Sequence, residues 1–156
     1  MTVLLLSLAL GLALITLAVI DARTLRLPDL ITLPLIGCGI AAAWALELPV
    51  RQHVIGAALG YLGSVALEIA YQRLRGRAGL GRGDAKLLAA GGAWCGALAL
   101  PVILLAASAS GLAVVIALRL TGRRIEAVAF GPFLALGIAL GWALVLTGAW
   151  PPASAL

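Results

Sequence analysis

Charge is scarce in this sequence. Eleven Lys and Arg and six Asp and Glu are spread over 156 residues, while 63% of the chain is hydrophobic and its mean hydropathy is +1.16. So few charged side chains cannot cover the surface of a water-soluble domain of this size, which excludes that class. Metal-ligating residues are equally thin. One His and two Cys leave no CxxC pair and no cluster with ligand spacing, so no metal site is expected. The ten-residue alternation of barrel strands is missing, which argues against a membrane β-barrel. No internal repeat or linker divides the chain, and one domain over residues 1–156 is expected. The opening stretch has no Lys or Arg ahead of its apolar run and no small-x-small cleavage site before Asp21. It therefore reads as a first helix and not as a removable signal peptide.

What the chain does have is long apolar runs. A membrane-crossing helix takes about 20 such residues, and runs near 3–20, 30–48, 53–72, 85–99, 102–119 and 129–148 come close to that length. Backbone groups in lipid must be satisfied within the segment, so these runs predict an all-α, polytopic membrane bundle of about six transmembrane helices. The basic residues set its orientation. Arg23 and Arg26, then Arg73, Arg75, Arg77, Arg82 and Lys86, then Arg119, Arg123 and Arg124 follow helices 1, 3 and 5, and only Arg51 falls on the other side. That asymmetry places the three loops in the cytoplasm and both termini outside. The net charge of +5 then reports loops facing an anionic lipid surface, with no nucleic-acid partner implied. Trp44, Trp94 and Trp150 are expected as interfacial anchors at the outer ends. Gly56, Gly60 and Gly63 are expected to allow close helix contact.

With so few acids, each can be sorted by depth, because an ionisable group at a membrane is costly unless paired or used. Asp21 ends helix 1, and Asp84 begins helix 4 directly after Gly79-Leu80-Gly81-Arg82-Gly83. Topology brings these two distant carboxylates to one cytoplasmic face. Two carboxylates held close do not both ionise readily, so one keeps a proton while the other activates water. A helix N-terminus favours the anion and a C-terminus disfavours it, which makes Asp84 the expected base. Gly81 and Gly83 would let a peptide backbone approach and let the chain take positive φ. Each acid also has a plainer reading. Asp84 could serve only as an N-cap and Asp21 only as a partner of Arg23. Asp29, after Pro28, is expected to cap helix 2, and Glu68 to pair with Arg73 or snorkel. His53 reads as structural, and Cys38 and Cys95 as small buried apolar residues. The glycine run lacks the GxxxxGK[ST] spacing of a phosphate loop.

Three segments carry a resemblance. Ile20-Asp21-Ala22-Arg23-Thr24-Leu25-Arg26-Leu27-Pro28-Asp29-Leu30 resembles the first signature of type IV prepilin peptidases, an aspartate followed seven and eight residues later by Pro-Asp or Pro-Asn. Gly81-Arg82-Gly83-Asp84-Ala85-Lys86 resembles their GxGD signature with its following Lys, and Phe130-Gly131-Pro132-Phe133-Leu134-Ala135-Leu136 is similar to their last helix. The resemblance implies a membrane aspartic endopeptidase with Asp21 and Asp84 as the catalytic pair. Gly81, Gly83, Lys86, Pro28 and Asp29 would bind substrate or support the loop. It implies a prepilin or pseudopilin substrate, cut where a short basic leader meets a hydrophobic helix, and a bacterial inner-membrane location with the site facing the cytoplasm. Larger members add an N-terminal segment with two CxxC pairs, associated with N-methylation, that has no counterpart here. No cofactor is therefore expected, and S-adenosylmethionine only if methyltransferase activity is retained. The Arg-rich loops are assigned to topology and lipid headgroups, not to leader recognition.

Two other readings compete. A presenilin-like GxGD intramembrane protease would need Asp21 in mid-helix, closely preceded by Tyr. A small ion channel or transporter would place acids near the midplane on broken helices.

Overall fold

A computed structural model describes residues 1–75, 81–121 and 128–149. The side chain of Arg75 and the expectations for Arg77, Gly79, Leu80, Arg123, Arg124, Glu126 and Trp150 lie outside the described residues. Among those described, the chain forms six α-helices: α1 (Thr2–Thr24), α2 (Asp29–Ala45), α3 (Val50–Arg75), α4 (Arg82–Cys95), α5 (Leu100–Leu120) and α6 (Gly131–Leu146). A single 3-10 turn, Ala97–Ala99, joins α4 to α5. The all-α expectation holds.

The six apolar runs correspond to the six helices, but their lengths divide them. Thr2–Thr24, Val50–Leu74 and Ala97–Leu120 are long and apolar enough to cross a membrane, whereas Asp29–Ala45 and Gly131–Leu146 are shorter. The fourth run shifts toward the N-terminus, to 82–95 instead of 85–99. Gly96 ends it, with φ 82° and ψ 167°, a backbone conformation that only glycine adopts without strain.

Helix α4 occupies the centre, packed against α2, α3 and α6. From Leu87 to Cys95 every residue is buried. Small residues make this possible. A Cβ on Gly92 would lie 2.1 Å from the Gly56 carbonyl oxygen, and one on Gly60 would lie 2.7 Å from that of Leu88. The α3 and α4 backbones thus touch directly, as the sequence suggested for Gly56 and Gly60. Gly63 has no neighbour at such a distance and does not share in the contact.

Trp94 corrects a second expectation. It is no interfacial anchor: it is fully buried, its indole N–H donates to the Leu35 carbonyl at 2.9 Å, and its ring meets Trp142 edge-on at 5.3 Å. An indole whose N–H is satisfied inside the bundle has no need of the interface. Trp44 is exposed. Cys95 is buried as expected, but Cys38 is exposed, because it lies on the outward face of α2, next to the inward-facing Gly39. His53 is buried and structural, its Nδ1 2.9 Å from the Ala93 carbonyl oxygen.

Helix α1 shows how periodicity aims a functional side chain. Its buried residues are Leu10, Leu14, Leu17 and Asp21, spaced by four, three and four, which is one face of a 3.6-residue helix. Leu4, Leu8, Leu12, Ile15 and Val19 are exposed, an outward apolar face suited to lipid. Asp21 therefore points inward because it continues the leucine stripe.

Candidate active site

Asp21 sits one turn before the end of α1. The helix stops where Leu25 enters the left-handed region (φ 53°), and the Leu25 N–H donates to the Asp21 carbonyl at 2.8 Å. The chain then turns through Leu27 to Pro28, whose extended backbone caps α2, with Asp29 in the first turn. On the other side Gly81 caps α4, so Asp84 occupies the third helical position and not the N-cap itself.

These segments enclose an open cavity of about 340 Å³. Asp21, Arg26, Asp29, Arg82, Asp84 and Lys86 supply its charged groups, and Leu25, Leu27, Gly81 and Gly83 complete the lining. The structure thus brings together Asp21, Asp84, Gly81, Gly83, Lys86 and Asp29, as the sequence led us to expect. Pro28 stands apart from the lining. Its carbonyl accepts from the Thr32 hydroxyl at 3.3 Å, which gives it a local role in starting α2.

Several of the charged groups in the cavity have an identifiable partner. The Asp21 residue is 5% exposed, and its Oδ2 accepts the main-chain N–H of Gly131 at 2.8 Å. Lys86 Nζ lies 2.5 Å from Oδ1 of Asp29, so Asp29 does more than cap α2: it ties that helix to α4 across the cavity mouth. Glu68 faces Arg82 at 4.0 Å, not Arg73, because the start of α4 packs beside α3. The glycines act through close approach. Neither Gly81 nor Gly83 has positive φ, contrary to expectation. A Cβ on Gly81 would lie 3.3 Å from Oδ2 of Asp84, and one on Gly83 would lie 3.0 Å from Cβ of Leu27.

Asp84 lies in the first turn of α4, ahead of its buried apolar stretch. Its pKa is raised from the ordinary carboxylate value to about 6, chiefly by burial and then by the Asp21 charge, with the Gly81 backbone hydrogen bond opposing both. The helix N-terminus that made Asp84 the expected base is therefore outweighed. Desolvation and a like charge both favour the protonated form. Of the two carboxyls, Asp84 is the one whose surroundings favour a proton, and Asp21 is the one that accepts a main-chain amide donor.

Sequence reasoning quoted Gly131 within its motif but gave it no role, and it assigned Arg26 and Arg82 to lipid. A readable signal existed for Gly131. A Gly-Pro pair opening a helix leaves one free donor at the first position and none at the second.

A family model described as the type IV leader peptidase family matches residues 8–116. The chain belongs to that family. It is 44% identical over 139 residues to the prepilin leader peptidase/N-methyltransferase of Dickeya chrysanthemi, covering 87% of this chain and 49% of the relative. The Escherichia coli (strain K12) protein of the same name is 46% identical over 126 residues, 79% of this chain and 56% of the relative. That of Neisseria gonorrhoeae is 43% identical over 133 residues, 83% and 44%. The chain thus spans about half the length of these leader peptidases. No solved structure matches it significantly. The matched segment runs from within α1 through most of α5 and so contains both aspartates, while α6 with Gly131 lies beyond it. Among the described residues, no group of three His, Cys, Asp or Glu is arranged to hold a metal.

Proposed function

We propose that the chain is a membrane aspartic endopeptidase that removes the short basic leader of a type IV prepilin or pseudopilin at the cytoplasmic face of a bacterial inner membrane. The observation that carries this reading is the convergence of Asp21 and Asp84, 63 residues apart in sequence, on one open cavity with unequal surroundings. A carboxyl whose surroundings favour a proton, facing a second carboxyl held by an amide donor, supplies the two partners that general acid–base hydrolysis requires.

In the cycle we infer, Asp21 takes a proton from water as the water oxygen bonds to the scissile carbonyl carbon, and Asp84 gives its proton to the carbonyl oxygen. The diol then collapses. Asp84 recovers a proton from a hydroxyl, the C–N bond breaks, and Asp21 passes its proton to the departing nitrogen. Both carboxyls end as they began, and one water is consumed.

The surroundings support a substrate that is part charged and part apolar. Three acids and three bases line the cavity, so its walls are polar. Lys86 also borders a second cavity of about 250 Å³ lined by Leu33, Ile36, Ala57, Tyr61 and Ala89, which offers apolar surface to a side chain of the hydrophobic segment that follows the scissile bond. The excess of basic residues on the loops of this end supports a cytoplasmic orientation. Asp21 lies in the last turn of α1, which favours cleavage at the membrane boundary over cutting in mid-membrane. Co-expression with candidate prepilins, scored by the mass of the leader lost, tests the reading. Cleavage by the wild type that disappears in Asp21→Asn is expected, and an unprocessed substrate in every pairing would contradict it.

A further inference from the structure

Helix α6 contributes to this site through its backbone alone. Its four first-turn positions can be accounted for one by one. Phe133 and Leu134 each donate to the Phe130 carbonyl at 3.1 Å, Pro132 has no N–H, and Gly131 donates to Oδ2 of Asp21 at 2.8 Å. The single donor that the helix start leaves over is therefore spent on a carboxylate 110 residues earlier in the chain. Gly131 is itself buried, and a Cβ there would lie 2.6 Å from Oδ2, 2.9 Å from Cγ and 3.0 Å from Cβ of Asp21. Glycine is what lets the amide reach the carboxyl.

We propose that Gly131 is a positioning residue for the peptidase: its main-chain N–H fixes the orientation of the Asp21 carboxylate and keeps that oxygen an acceptor, so that Asp21 serves as the base. The inference rests on the assignment of Asp21 and Asp84 as the catalytic pair. An N–H donated to a carboxylate favours its ionised form. It also leaves the second oxygen, Oδ1, as the one free to take a proton from water. The other charged groups lining the cavity are Arg26, Asp29, Arg82, Asp84 and Lys86.

The test uses the full chain in lipid nanodiscs with a prepilin substrate and compares Gly131→Ala with Gly137→Ala. The second variant crowds the same helix, since its Cβ would meet the Ile103 carbonyl oxygen at 2.5 Å, but it does so away from the carboxylates. A displacement of about 1 Å at a catalytic group costs roughly 100-fold in rate, so Gly131→Ala is expected to lose that much in kcat with KM within about 3-fold. The acidic limb of its residual pH–kcat profile should move to higher pH. Gly137→Ala should lower the thermal midpoint and leave the limb in place. A stability cycle keeps the contact testable without activity: Asp21→Ala should remove much of the thermal penalty of Gly131→Ala, because it removes Oδ2 and Cγ. A kcat for Gly131→Ala close to wild type, or a pH limb that does not move, would overturn the positioning role while Asp21→Asn remained inactive. If Asp21→Asn itself cleaves, the pair assignment falls, and the positioning proposal falls with it.

Discussion

Two of the close glycine contacts in this bundle do different things. Where α3 meets α4, Gly56 and Gly92 bring two backbones into contact. Where α6 meets α1, Gly131 brings a backbone against the carboxyl of Asp21. The first contact gives packing and the second gives chemistry, although the residue type and the physical device, an absent Cβ, are the same. In a membrane the apolar environment contributes little to helix association, so close packing must hold the helices. The same closeness, applied to a single titratable group, fixes its geometry and its hydrogen bond. The two ends of α4 repeat the contrast: its first turn carries Asp84 and Lys86 into an open cavity, and the rest of the helix is sealed.

Crowding the packing contact should have the largest effect on stability. Gly92→Ala places a methyl group 2.1 Å from a carbonyl oxygen, and neither backbone can yield without separating α3 from α4. A loss of at least about 3 kcal/mol is expected, read as a large fall in thermal midpoint and in membrane abundance. The kcat per folded molecule should stay near wild type. A stable Gly92→Ala would mean that the two backbones are not in contact, and a folded variant with low kcat would erase the distinction between the contacts.

Asp84→Asn sharpens the comparison from the chemical side. The folded pKa of Asp84, about 6, lies above its ordinary value. The stability associated with its protonated form is therefore fully present below about pH 4 and is lost as pH rises through about 6. Asparagine matches that neutral form. The variant should melt with the wild type at pH 4 and above it, by about 2–4 °C, at pH 8. A variant that melts lower at pH 8 would show that the Asp84 anion is stabilised by its surroundings.

The smallest effect is expected at the Lys86–Asp29 bridge. Its carboxylate is more than half exposed, and such pairs are worth about 0–1 kcal/mol. Lys86→Gln and Asp29→Asn should each cost no more than this in thermal unfolding at low salt, and the double variant little more than either. A larger, non-additive loss would mean that the bridge does more to hold α2 to α4 than an exposed pair should.

The sequence made the helices legible because their apolar runs are long and uninterrupted. It made the pair legible because only six acids had to be placed. Leu10, Leu14 and Leu17 already aim Asp21 inward, so periodicity and depth agreed. Trp94 was misread because an indole near a helix end looks the same in sequence whether it faces headgroups or Trp142. The raised pKa of Asp84 was not legible, because the helix-terminus contribution can be read from position, whereas desolvation and the Asp21 charge arise only when α1 and α4 come together. The Gly131 donor was hidden for the same reason. Its partner lies 110 residues away, and nothing local to the Gly-Pro pair says which carboxylate it meets.

Replacing three neighbouring acids at nearly constant volume tests the central claim most directly. Purified Asp21→Asn, Asp84→Asn, their double variant and Asp29→Asn would be assayed for leader loss by mass, at equal abundance in nanodiscs. If Asp21 and Asp84 form one acid–base unit, either substitution abolishes cleavage, the double variant is no worse than either single, and Asp29→Asn keeps substantial activity. Cleavage surviving in Asp84→Asn, or an equal loss in all three single variants, would contradict the account.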